Sequence, residues 1–130
     1  MDYQVELRFK KLTALLNKDF DGDMDISGIL FLIGVNELGW GFKNYSKDEK
    51  MDLVHIATCT ILAPYGYYEL EGKDQDNWPH FKLIKKLPHL EYNQQQHLMK
   101  EAIIDYFISN GYYTKEQITP TFSELSRHKH

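Results

Sequence analysis

A chain of 130 residues that is 42% hydrophobic and 26% charged has the length of one ordinary domain and can bury roughly two thirds of its unfolded surface around a core, which excludes a disordered chain. Its net charge of −4, with Lys and Arg scattered along the sequence, excludes the basic stripe that grips a phosphate backbone, so no nucleic-acid partner is expected. The longest apolar run, Ile29 to Val35, is far shorter than the ~20 residues that cross a bilayer, so no membrane is expected.

The opening Met1-Asp2-Tyr3-Gln4-Val5-Glu6 lacks the basic and apolar regions of a secretory signal. The single Cys59 has no partner for an internal disulfide and falls in an apolar helical pattern, which suits a reducing compartment. The expected location is the cytoplasm.

In chain order, Val5, Phe9, Leu12 and Leu16 recur at helical spacing and predict an amphipathic helix over 3–18. Residues 26–38 are apolar on nearly every side and read as a second helix, either central or half of a subunit interface. Ser46-Lys47-Asp48-Glu49 has the form of a capping box, so a third helix is expected over 47–63, stopped by Pro64. Its apolar stripe is read as Met51, Val54, Ile61 and Leu62, with Ala57 and Thr58 allowing close approach. Residues 65–88 are irregular, with a turn-forming cluster at 72–77, and suit a hairpin or an ordered loop. A fourth helix is expected over 93–110, with Leu98, Met99, Ala102, Ile103, Tyr106 and Phe107 as its stripe and Asn110-Gly111 as its end. A short helix opening at Thr119-Pro120 would dock through Ile118, Phe122 and Leu125. The fold class expected is therefore mainly α: one helical domain over 1–126, a compact bundle of about four principal helices with an irregular or hairpin segment, and a frayed tail over 127–130.

Three constellations could carry chemistry. The first is Asp19, Asp21, Asp23 and Asp25, whose alternate carboxylates resemble a calcium loop. Counted from Asp19, however, the glycine position of an EF-hand is Met24 and the bidentate glutamate position is Leu30. The loop also resembles the Asp-x-Asp-Gly-Asp repeats of integrin-like proteins, with Ser27 where those usually carry Asp. Asp25 as the N-cap of the second helix needs fewer exceptions.

The second is Asp52, His55 and Cys59 on the third helix, with His97 and Glu101 on the fourth. These are residue types that ligate a divalent metal such as zinc or iron, but they do not repeat the Glu-x-x-His pairs of di-iron bundles. The third is Asp74, Asp76, Trp78, His80 and Phe81, a turn followed by aromatic residues and one titratable group. It suits a rigid pocket wall or, more economically, a Trp plug whose acids satisfy turn backbone.

Phosphate-binding glycine patterns, His-Glu-x-x-His and nucleophile motifs are lacking, which points away from an enzyme. An aromatic content of 14%, with nine Tyr, points to an interaction or self-associating module, with Phe31, Ile33, Trp40 and Phe42 as candidate interface residues for a homodimer or a protein partner. The alternative is a small metal- or ligand-binding protein using His55 with Asp52, or His80 beside Trp78.

Overall fold

The apolar periodicity of the chain becomes helix wherever a cap opens it and a glycine or proline closes it. In the computed structural model, which describes residues 3–123, the elements in order are α1 (Tyr3–Phe20), α2 (Ile26–Leu38), α3 (Lys47–Leu62), a 3-10 turn (Ala63–Tyr65), β1 (Tyr68–Lys73), β2 (Pro79–Leu83), α4 (Tyr92–Ser109) and α5 (Lys115–Ile118). The architecture is mainly helical with one antiparallel hairpin. The expected tail at 127–130 lies outside the described residues.

The chain divides into two packed units. One takes both ends of the sequence, up to Met24 and from Leu90 onward, and holds α1, α4 and α5. Leu12 and Leu16 of α1 and Ile103 of α4 are fully buried there. Lys100 of α4 bonds both carboxylate oxygens of Glu6 on α1, at 3.1 and 2.9 Å. The Tyr113 hydroxyl donates to Asp19 at 2.6 Å, and its burial beside that carboxylate raises its pKa.

Helix α1 runs two residues past the expected end, because nothing before Asp21-Gly22 stops it. The Gly22 N–H then closes on the Asn17 carbonyl, with Asp21 in the left-handed region at φ 51°. At the other end, the short helix opens at Thr114 rather than Thr119: the Thr114 hydroxyl accepts from the Gln117 N–H, and the Gln117 side chain returns the bond. Ile118 is buried as expected, but Phe122 is 82% exposed. Leu125 lies outside the described residues.

The other unit, Asp25–His89, is built on α2 and α3. Asp25 caps α2 through the Gly28 N–H at 2.8 Å, and Gly39, at φ 81°, ends it in a left-handed cap. Gly34 is the crossing point with α3: a Cβ there would lie 2.2 Å from the Leu53 carbonyl oxygen. Because no side chain intervenes, the two helices meet backbone to side chain, and Leu53 closes a cluster with Val35, Leu38 and Tyr45.

The buried face of α3 is Leu53, Ile56, Ala57, Cys59, Ile61 and Leu62. The expected stripe was therefore rotated: Met51 is 62% exposed and Val54 only half-buried, because the i, i+3, i+4, i+8 series starts at Leu53. The all-round apolar character of α2 finds its cover within a single copy of the chain, with Ile29, Leu30, Leu32, Ile33, Val35 and Leu38 all buried. A second copy is not needed to bury them. The 65–88 segment resolves as a hairpin, β1 antiparallel to β2, with a bulge between Leu70 and Gly72.

Candidate functional site

The residues that the sequence groups around Trp78 are assembled by the turn between β1 and β2. Asp74 organises it: one carboxylate oxygen accepts the N–H groups of Asp76 at 2.9 Å and Trp78 at 3.0 Å, and the other accepts His80 Nε2–H at 3.0 Å. Bonds to ring and backbone donors favour the charged form, so the His80 bond first, then those from Trp78 and Asp76, hold the Asp74 carboxyl below its ordinary value. His80 stays largely exposed, and the pair lies on the surface.

Asn77 occupies the left-handed region at φ 72°, where Asn is tolerated better than most residues. From there its side-chain N–H₂ donates to the Leu38 carbonyl at 2.6 Å, one of the carbonyls left open at the end of α2. Trp40 Nε1 donates to the Asp76 carbonyl at 3.0 Å, and the Trp40 and Trp78 rings meet edge to face at 5.5 Å. The turn is thereby tied to the C-terminal end of α2 by two side-chain bonds.

Trp78 packs against the Val35, Leu38, Tyr45 and Leu53 cluster, which is the plug arrangement. Phe81 is half-buried in β2, while Asp76 is exposed. Trp40 is 40% and Phe42 67% exposed, with Lys43 Nζ 4.3 Å from the Trp40 ring centre. Of the other interface candidates, Phe31 is half-buried, edge-on to Tyr45 at 5.9 Å, and Ile33 is buried and presents no surface.

The remaining candidates form pairs. Cys59 Sγ lies 3.6 Å from His55 Nε2, a distance that would suit a thiol and its base. Yet Cys59 is buried, and burial pushes its thiol up to about 11, so at neutral pH it is a protonated, inert group. Asp52 and His55 are exposed on α3. On α4, His97 Nε2 sits 3.5 Å from Glu101. Among the described residues, no group of three or more His, Cys, Asp or Glu is placed to hold a metal ion.

In the acidic stretch, Asp19 is helical and bonded to Tyr113, Asp25 is engaged as a cap, and Asp21 and Asp23 are exposed. A calcium loop starting at Asp19 would therefore take its first ligand from the last turn of a helix.

Sequence reasoning missed two features. One is the tie from Asn77 and Trp40, whose signal is Asn-Trp after a double-Asp turn. The other is an open hollow of about 520 Å³ along α1, reached by Tyr3, Glu6, Phe9, Lys10 and Asn17 among others, which helical periodicity alone cannot reveal. Comparison of the chain with protein-family models, with curated proteins and with solved structures finds no match in any of the three.

Proposed function

We propose that this chain is a cytoplasmic, non-enzymatic interaction module that docks a protein partner on the hairpin and the Trp40–Phe42 corner of the Asp25–His89 unit. The observation that carries the reading is the apolar exposure of that unit. Phe42, Leu70, Leu83 and Ile84 are all at least half exposed, although water disfavours such side chains at roughly 25 cal/mol per Å². They stand on elements held rigid by the Asp74 and Asn77 bonds, and a rigid, partly apolar surface binds with little ordering cost. Among the described residues no helix is long and apolar enough to cross a membrane, in keeping with a module that works in solution.

Photo-crosslinking in the cells that make the protein tests this directly. A photoreactive residue at Phe42 or Leu70 is expected to give discrete adducts, while one at Glu116, an exposed residue of the other unit, serves as control. Equal labelling at all three positions would overturn the proposal.

A further inference from the structure

The hairpin is a two-stranded sheet, so each strand has one edge that its partner does not use. Ile84 N–H bonds the Tyr67 carbonyl at 2.9 Å, and Tyr68 faces Leu83, Glu69 faces Lys82 and Leu70 faces Phe81. Antiparallel ladders alternate. With 67 and 84 a bonded pair, 69 and 82 are the next, and the backbone N–H and C=O groups of Phe81 and Leu83 point away from β1. Pro79 fits the same scheme, since proline is confined to edge strands or to a strand's first residue.

This outer edge of β2 has a definite charge. From His80 to Lys86 the chain carries Lys82, Lys85 and Lys86 and no acid, and all three lysines are exposed. Lysines on an edge discourage a second identical edge from pairing with it. They do not discourage an acidic strand, for which the potential is complementary. The chain already displays what suits β2: β1 sets Glu69 opposite Lys82 and apolar Tyr68 and Leu70 opposite Leu83 and Phe81.

We propose that the outer edge of β2 binds an extended acidic segment of a partner protein, alternating apolar residues with Glu or Asp, as an added antiparallel strand. The inference rests on the interaction reading above and names the partner's chemistry. Main-chain bonds to Phe81 and Leu83 supply the pairing, the partner's apolar side chains lie beside the half-exposed Phe81 and Leu83 face, and its acids lie beside Lys82 and toward Lys85 and Lys86.

The test uses the full chain and a fluorescein-labelled peptide alternating leucine and glutamate, followed by anisotropy at low salt. Saturable binding is expected. Lys85→Glu with Lys86→Glu, which leaves the Glu69–Lys82 pair of the hairpin intact, should weaken it at least tenfold without changing the melting temperature. A peptide N-methylated on alternate amides should also bind at least tenfold more weakly. Absence of saturable binding, or equal binding of the N-methylated peptide, would overturn added-strand recognition. Multimers of the chain alone that the peptide disperses would overturn the partner in favour of a second copy. Crosslinks at Phe42 and Leu70 without peptide binding sink this inference alone, whereas their absence sinks the reading beneath it.

Discussion

The crossing of α2 over α3 and the turn from β1 to β2 belong to the same unit and are held by opposite means. At the crossing, Gly34 lies against the Leu53 backbone and the surrounding residues are apolar and buried. Its specificity is steric, set by what is missing from Gly34. The turn buries little, and its geometry comes from bonds that Asp74 and Asn77 direct at particular N–H and C=O groups. Shape therefore fixes the dry region and hydrogen bonding fixes the wet one, so the two should fail under different perturbations.

The largest effect is expected at the crossing. Gly34→Ala puts a methyl group on a backbone oxygen that cannot rotate aside, so it should cost about 3 kcal/mol or more, at the upper end of overpacking. Leu53→Ala, which opens a void in the same place, should cost about 2 to 5 kcal/mol. Urea melts of both variants measure this. A Gly34→Ala protein within about 1 kcal/mol of the parent would mean that the helices are not in backbone contact.

The tie of the turn to α2 should be worth less. Asn77→Ala loses the bond to the Leu38 carbonyl and places alanine at φ 72°, for an expected loss of about 1 to 3 kcal/mol. Asn77→Gly loses the bond but not the conformational fit, and should fall between alanine and the parent. If the two variants melt together, the left-handed backbone at position 77 carries no cost and the side-chain bond accounts for the whole loss.

The smallest effect separates the regions by pH. Burial raises the Cys59 thiol from its ordinary 9.0 to about 11, so the folded state holds this proton more tightly than the unfolded one. That contribution is complete below about pH 9 and is lost as pH rises toward about 11. Asp74 is shifted the other way, so its contribution is present above its unfolded value near 3.8 and lost as pH falls through the lower folded value. Thermal melts across pH should show Cys59→Ala flattening the alkaline limb alone and Asp74→Asn the acid limb alone. Either variant altering both limbs would break the separation of the two regions.

The same contrast explains what could be read from the sequence. Helix α2 has the expected bounds because Asp25 and Gly39, its start and stop, are both local signals. For α3 the Ser46–Glu49 box sets the start correctly. Helix α4 begins one residue early, at Tyr92, because Glu91 stands at the cap and Gln94 returns the bond to its N–H, and Glu is a weak signal for that position.

Small residues were sought at Ala57 and Thr58, whereas the close approach is at Gly34, since sequence does not show which face of one helix meets another. The candidate site was half legible. Asp74 and Trp78 stand out as a turn and a plug, but the partner of Asn77 is 39 residues away, beyond any local pattern. The outer charge of β2 is visible in the sequence once the strand is known, and its meaning depends on which edge β1 leaves open.

The unit made from both ends of the chain has a consequence for biosynthesis. Its Glu6–Lys100 contact joins residues 94 apart, with all of Asp25–His89 made in between. A ribosome adding about 5 to 20 residues per second releases α1 several seconds before α4 exists. Through that interval the stripe of Val5, Leu12 and Leu16 has no α4 to pack against, while the residues of the other unit are contiguous and become complete first. The nascent chain is thus an order-of-assembly problem in which the first helix made waits for α4, and α1 is the segment a chaperone would meet.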